Sequence, residues 1–256
     1  MNELFSLKGR TALVTGGSRG IGRMIAAGFL AQGARVYISS RKADACNETA
    51  RELSAIGPCV SLPADVSSLQ GIQGLVAAYL AREESLDILV NNAGAAWGES
   101  FDTFPEKGWD KVMDLNLKSP FFLTQALAEP LRRAAQKQTA KVINIASIDG
   151  VSVNPMETYS YAASKAGLVH LTRRMSLRLA KDNIAVSAIA PGAFASEMNR
   201  TARDHGDEVA ARIPLGRIGI DDDMAGTAIY LASRAGDYVV GHTLVVDGGV
   251  SLVRGE

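Results

Sequence analysis

The sequence predicts a single doubly wound α/β domain, a mostly parallel sheet with helices on both faces. Three observations carry this. Short runs rich in Val and Ile alternate with longer segments of helical period. The runs are almost continuously apolar, as strands covered on both faces must be. No repeat, low-complexity tract or Pro/Gly/Ser linker interrupts the 256 residues, so one domain spans 1–256.

In chain order, TALVT (11–15) is a strand, a glycine-rich turn follows, and 20–32 has helical spacing. ARVYIS (34–39) is the next strand and 42–55 the next helix, followed by a weaker strand candidate at 59–62 and a helix over 67–83. LDILVN (86–91) precedes a long helical pattern over 109–136, and KVINIA (141–146) precedes another over 160–181. IAVSAIA (184–190), a helix over 222–233 and TLVVD (243–247) complete the alternation. Residues 193–214 fit it least: charged, with scattered apolar positions, they join a strand end to a helix. Open α/β sheets bind ligands outside the carboxyl ends of their strands, which makes this segment a candidate lid.

Composition narrows the function. Lys and Arg number 27 against 27 Asp and Glu, so no net field argues for nucleic acid or an anionic membrane. No run is long and apolar enough to cross a bilayer, and MNELFSLKGR lacks the apolar segment of a signal peptide. Cys46 and Cys59 make neither a disulfide framework nor a zinc site, so no metal is expected and the thiols suit a reducing cytoplasm.

TGGSRGIG (15–22) follows the first strand and opens the first helix, with Gly16, Gly20 and Gly22 in G-x-x-x-G-x-G spacing. Glycine permits the tight turn and close backbone approach to a pyrophosphate, which the helix N-terminus attracts. Ser18, Arg19 and Ile21 lie in the same loop. A carboxylate at the end of the second strand would hold the ribose hydroxyls of NAD. Here that strand ends Ser39-Ser40-Arg41. Arg41 and Arg19 suit a 2′-phosphate, so NADP(H) is the expected cofactor.

ETYSYAASK (157–165) offers two tyrosines and a lysine. Residues four apart share a helix face, so Tyr161 and Lys165 converge. Tyr159 precedes the lysine by six positions, about 240° round at roughly 100° per residue, and points elsewhere. A phenol titrates near ~10 in water, and a nearby ammonium brings it down. Tyr161 is therefore the candidate general acid and Lys165 its tuner. Ser147, ending the strand KVINIA, is placed to hydrogen-bond a substrate oxygen.

Together with these, ADVS at Asp65 and Val66, NNAG (91–94), Asn116 in DLNLKS, Pro191-Gly192 and VDGG (246–249) make the chain resemble a short-chain dehydrogenase/reductase along essentially its whole length. The resemblance implies a seven-stranded Rossmann fold and a catalytic set of Asn116, Ser147, Tyr161 and Lys165. It implies that Asp65 and Val66 border the adenine, and that Asn91, Asn92, Ala93 and Gly94 line or support the cofactor cleft. Lys165 would also bond the nicotinamide ribose, with Tyr161 beside it, and the backbone after Pro191-Gly192, through Phe194 and Ser196, would hold the carboxamide. Asn116 would support a water relaying protons to Lys165, or else satisfy helix backbone. Family members commonly pair their long helices in homotetramers.

Within the family, PLGRIG (214–219) and GHTLVVDGG (241–249) resemble bacterial 3-oxoacyl reductases acting on acyl-carrier-protein or CoA thioesters. Those enzymes carry arginines where this chain has Gln138 and Asp182, beside Lys137 and Lys181. An acid facing an acidic carrier costs affinity and on-rate, which leaves a CoA ester or another β-keto compound open. Trp97, Val153, Met156, Phe194 and Met198 are candidates to line an acyl channel, or ordinary packing residues. Two other readings stand beside this one: a short-chain oxidoreductase for a sugar, steroid or other secondary alcohol, and a non-catalytic dinucleotide-binding regulator. The second predicts a damaged catalytic set, and the sequence has none.

Overall fold

Along the first strand, β1 (Thr11–Thr15), Ala12 and Val14 face one helical layer and Leu13 the opposite one. The same two-sided alternation recurs at Val36, Tyr37 and Ile38 of β2 (Arg35–Ser39) and at Ile88, Leu89 and Val90 of β4 (Ile88–Asn91). A strand buried on both faces needs no polar positions, which is why these runs are unbroken in the sequence. The short β3 (Cys59–Ser61), β5 (Ala140–Ile145), β6 (Ile184–Pro191) and β7 (Thr243–Val246) complete a sheet ordered β3-β2-β1-β4-β5-β6-β7. Every pairing in it is parallel, so the "mostly parallel" expectation resolves to wholly parallel among the described residues. These are residues 3–197 and 199–252 of a computed structural model.

The helices divide between the faces. α1 (Gly20–Ala31) and α2 (Ala43–Leu53) contribute Ile25, Phe29 and Leu53 to one layer. α3 (Leu69–Leu80) contributes Ile72, Leu75 and Tyr79 to the other. The pattern over 109–136 does not form one helix. It is α4 (Glu106–Met113), a π-helical turn (Asp114–Lys118), α5 (Ser119–Ala126) and, after a break at Leu127, α6 (Ala128–Ala135). Pro120 and Pro130 each lie in the first turn of the helix they open, where a missing N–H costs nothing.

α7 (Tyr159–Leu179) follows, then α8 (Arg200–Asp204) and α9 (Gly206–Ala210) in the segment that fits the alternation least. α10 (Asp221–Ala232) packs on α1 so closely that a Cβ on Gly28 would lie 2.7 Å from that of Ala225. Strand order reverses direction at β1 and β4, and the crevice at their carboxyl ends is the expected ligand position of such a sheet. The glycine loop, Ser147 and Gly192 each follow the carboxyl end of a strand, whereas Gln138 and Asp182 precede β5 and β6 at the opposite end.

Candidate active site

β5 ends beside Ser147, whose backbone is extended and whose Oγ accepts the Asp149 N–H at 3.1 Å. A short helical turn, Ile148–Gly150, then leans on α7: a Cβ on Gly150 would come within 2.7 Å of the Lys165 backbone. This contact fixes Ser147 against the face of α7 that carries Tyr161 and Lys165. Tyr161 faces Ser147 closely enough for that hydroxyl to act on its phenol. The Lys165 Nζ lies 5.6 Å from the centre of the Tyr161 ring and donates to the Ile145 carbonyl at 2.7 Å. Tyr159 stands apart: its hydroxyl donates to Glu157 at 3.1 Å and its ring packs against Phe101 and Phe104. The helical-face argument for Tyr161 agrees with this placement.

The electrostatics differ from expectation. Burial raises the Tyr161 phenol above its ordinary value; the Ser147 hydroxyl opposes that rise and Asp149 adds to it. Burial also pulls the Lys165 ammonium down to about 8, with Asp149 acting in the opposite direction. Desolvation is the largest influence on both groups and acts against the charged form of each. A phenol that keeps its proton is a competent proton donor, and the lysine is still mainly an ammonium at neutral pH.

Asn116 sits in the π-helical turn, fully buried. Its Oδ1 accepts the Ala95 N–H at 2.8 Å, and its Nδ2 donates to the Ala95 carbonyl at 2.9 Å and to Ser164 Oγ at 3.0 Å. The side chain therefore clamps the loop after β4 to α7, where a Cβ on Gly94 would lie 3.8 Å from the Lys165 Nζ. The π turn itself was not legible, because one extra residue in a helix leaves no compositional mark.

On the other side of the crevice, Gly16 and Gly20 adopt left-handed φ of 66° and 51°. A Cβ on Gly22 would overlap the Gly16 carbonyl oxygen, and one on Gly16 would lie 2.7 Å from Asn92 Nδ2. Asn92 ties the two loops together by donating to the carbonyls of Thr15 and Gly16, while the Asn92 and Ala93 N–H groups bond Thr15 Oγ1. Arg19, at the N-cap of α1, supplies no side-chain cap, and the first turn holds no acid. A cradle that side chains would fill, opening on an uncapped helix start, fits a pyrophosphate. Ser18 and Ile21 are half-buried in this loop, and the Ser18 carbonyl accepts Thr49 Oγ1. Asn91, by contrast, belongs to the sheet centre, donating to Asn144 Oδ1 at 2.8 Å and Thr124 Oγ1 at 3.2 Å.

Arg19 and Arg41 are both exposed, and Ser40 lies half-buried between β2 and Arg41. Asp65, held by Ser67 N and Oγ, brings a carboxylate to 4.0 Å from Arg41 Nη1. An acid does approach the end of β2, then, but it arrives from beyond β3 and is partly committed to an arginine. Val66 behind it is buried.

Pro191 ends β6, and Gly192 donates to Val246 at 2.9 Å with its Cα close against Asp247. Asp247 accepts the N–H groups of Gly249 and Ser251, which explains the VDGG motif as a turn that buttresses Gly192. Ser196 Cβ lies 3.2 Å from where a Cβ of Gly20 would be, so the segment after β6 covers the glycine loop. Phe194 is buried against Gly219 rather than facing a channel, and Trp97 packs over Gly108 and Lys111. Met198 lies outside the described residues. Val153 and Met156 are exposed beside the Ser147 turn, at 98% and 68%.

Two further findings bear on partners. Asp182 is not an unopposed acid: Arg132 Nε bonds it at 2.8 Å and Arg178 at 3.1 Å, so its charge is neutralised within a basic patch. The acid at this position is thus a paired one. Asp149 was not singled out at all, although it is the only charged residue between Lys141 and Glu157, a signal the sequence did contain.

The family described as enoyl-(acyl carrier protein) reductase matches residues 16–251. The chain is also 47% identical over 256 residues to the rhamnolipids biosynthesis 3-oxoacyl-[acyl-carrier-protein] reductase of Pseudomonas aeruginosa, covering 98% of this chain and 100% of that one. The chain belongs to the short-chain dehydrogenase/reductase family. As a member of it, the protein is an oxidoreductase. It is 40% identical, over 96% of both chains, to the 2-dehydro-3-deoxy-D-gluconate 5-dehydrogenase of Dickeya dadantii. Among solved structures, the Pseudomonas aeruginosa RhlG/NADP active-site complex superposes with a TM-score of 0.94 at 47% identity, covering 98% of this chain and 100% of that one.

Proposed function

We propose that the protein reduces a 3-ketoacyl thioester to the 3-hydroxyacyl thioester with NADPH, supplying fatty-acid-derived lipids such as rhamnolipid precursors. The observation that carries the chemistry is the convergence of Ser147, Tyr161 and Lys165 at the carboxyl end of β5. When bound, NADPH supplies the hydride. Ser147, its lone pair engaged by the Asp149 N–H, keeps its own proton free to hold the ketone oxygen. Tyr161 gives that oxygen a proton as negative charge develops, and the Lys165 ammonium stabilises the phenolate left behind. Asn116 holds the Ala95 loop against α7 and so keeps Gly94 and Lys165 in register.

Gly16, Ser18, Arg19, Gly20, Ile21 and Gly22 would form the pyrophosphate loop, and Arg19, Ser40 and Arg41 the 2′-phosphate site. Asp65 and Val66 would border the adenine, with Asn92, Ala93 and Gly94 lining the crevice. Pro191, Gly192, Phe194 and Ser196 would hold the carboxamide through backbone, under a lid formed by 193–214. The thioester reading rests on the relative at 47% identity and on the apolar rim of Val151, Val153 and Met156. The 40% identical gluconate-derivative dehydrogenase favours a second reading, a keto sugar acid as substrate. A groove of about 500 Å³ lined by Leu117, Phe121, Phe122 and Leu171 supports pairing of α5 and α7 between copies, as in a homotetramer.

The test follows NADPH and NADH consumption against 3-ketoacyl thioesters of carrier protein, CoA and N-acetylcysteamine at several chain lengths. Turnover of these with a strong NADPH preference is expected. Equal use of NADH would remove the Arg19/Arg41 assignment, and no turnover of any β-keto thioester would remove the substrate reading.

A further inference from the structure

Between Lys141 and Glu157 the chain carries one charge, Asp149, and it sits two residues past Ser147. Its position is built. Its N–H donates to Ser147 Oγ at 3.1 Å, and its carboxylate Oδ1 accepts Asn154 Nδ2 at 2.6 Å. Asn154 is in turn fixed by accepting the Met156 N–H at 2.7 Å. The next residue, Gly150, packs so closely on α7 that a Cβ there would lie 2.7 Å from the Lys165 backbone. The charge of this carboxylate reaches both Tyr161 and Lys165. The other groups packed round the pair are neutral: Ser147 from the strand end, Asn116 from the π turn and Ser164 from α7.

We propose that Asp149 is a specificity-determining residue that excludes carboxylate-bearing ketones from the active site and admits those whose neighbouring group is an uncharged ester or thioester. The reasoning is electrostatic. The ketone must sit within hydrogen-bond reach of Ser147 and Tyr161, so a carboxylate one or two carbons away shares the cleft with Asp149, whose N–H lies 3.1 Å from Ser147 Oγ. Two like charges in a half-buried cleft repel far more than in open water. A thioester carbonyl in the same place carries no charge and meets no such barrier. The carboxylate is held in place by Asn154.

This proposal rests on the β-keto thioester reading, and the experiment separates the two. It compares kcat/KM for the N-acetylcysteamine thioester of 3-oxobutanoate with that for free 3-oxobutanoate, which differ in the group beside the ketone. Wild-type protein, Asp149→Asn and Asp149→Glu are measured with NADPH. Asp149→Asn is expected to shift the ratio toward the free acid by about tenfold, the size of one partly screened charge pair. Asp149→Glu, which keeps the charge, is expected to retain most of the wild-type ratio. The pH profile gives a second readout. Asp149 favours the protonated forms of Tyr161 and Lys165, so its neutralisation should move the alkaline fall in thioester reduction to lower pH. An unchanged ratio in Asp149→Asn, or an equal shift in Asp149→Glu, would overturn the proposal. Failure of the wild-type protein to reduce the thioester at all would instead overturn the function on which it rests.

Discussion

The Lys165 ammonium and the Tyr161 ring lie 5.6 Å apart on one face of α7, and the ammonium is pinned by the Ile145 carbonyl at 2.7 Å. The lysine therefore cannot follow the phenol; the pair is a fixed charge beside a buried acid. Removal of the acid alone tests this division of labour. Tyr161→Phe should lower kcat for ketone reduction by at least about 100-fold, the ordinary share of a positioned proton donor. NADPH affinity, measured by fluorescence titration, should change little, since the substitution removes one hydroxyl and keeps the ring.

The pH dependence follows from the sign of the lysine shift. Burial holds Lys165 at about 8 instead of 10.5, so the ammonium is present below about 8 and lost above it. The kcat/KM for reduction should fall as pH rises through that value. The same group acts oppositely on stability. Between about 8 and 10.5 the unfolded chain binds the proton more tightly, so the contribution of Lys165 to folding improves with rising pH in that window. Urea titrations of the wild type and Lys165→Met across pH 7–10 should show the difference between them narrowing on the alkaline side.

Gly22 supplies a packing prediction. Any Cβ there meets the Gly16 carbonyl and lies 2.5 Å from Asn92 Nδ2, both just past the carboxyl ends of the paired parallel strands β1 and β4. Gly22→Ala should cost about 1–3 kcal/mol of unfolding free energy and weaken NADPH binding together with it. Gly74, whose Cβ would meet nothing, gives the control: Gly74→Ala, in the middle of α3, should stabilise the protein slightly.

Asp182 offers a test of partner choice. It neutralises Arg132 and Arg178, which lie near Arg133 and the end of α7. Asp182→Ala removes one negative charge from beside Arg132 and Arg178, so the KM for a carrier-protein thioester should fall a few-fold while that for an N-acetylcysteamine thioester stays put. Raised salt should erase the gain. Equal effects on both substrates would show that the patch does not meet the carrier.

Much of this was legible in the sequence because the physics is local. A glycine that cannot carry a Cβ, strands apolar on both faces, and a tyrosine four residues before a lysine each write themselves into consecutive letters. Gly16, Val14 and Tyr161 are of that kind. The rest depends on what the fold brings together. The break of the 109–136 pattern at Leu127 was marked only by Pro120 and Pro130, and the π turn that carries Asn116 was not marked at all. The pairing of Asp182 with Arg132 joins residues fifty positions apart. The raised Tyr161 phenol reflects burial, which spacing along a helix does not reveal. In the sequence Phe194 is either a channel-lining or a packing residue, and its contact with Gly219 decides for packing.

The most direct test of the account is NADPH oxidation by the wild-type protein and Tyr161→Phe with two substrates side by side. One is the N-acetylcysteamine thioester of 3-oxobutanoate, and the other is a keto sugar acid such as 5-keto-D-gluconate. Reduction of the thioester in strong preference to the sugar acid, abolished by Tyr161→Phe, is the result predicted. Reduction of the sugar acid in preference to the thioester, or thioester turnover that survives the loss of the Tyr161 hydroxyl, would contradict it.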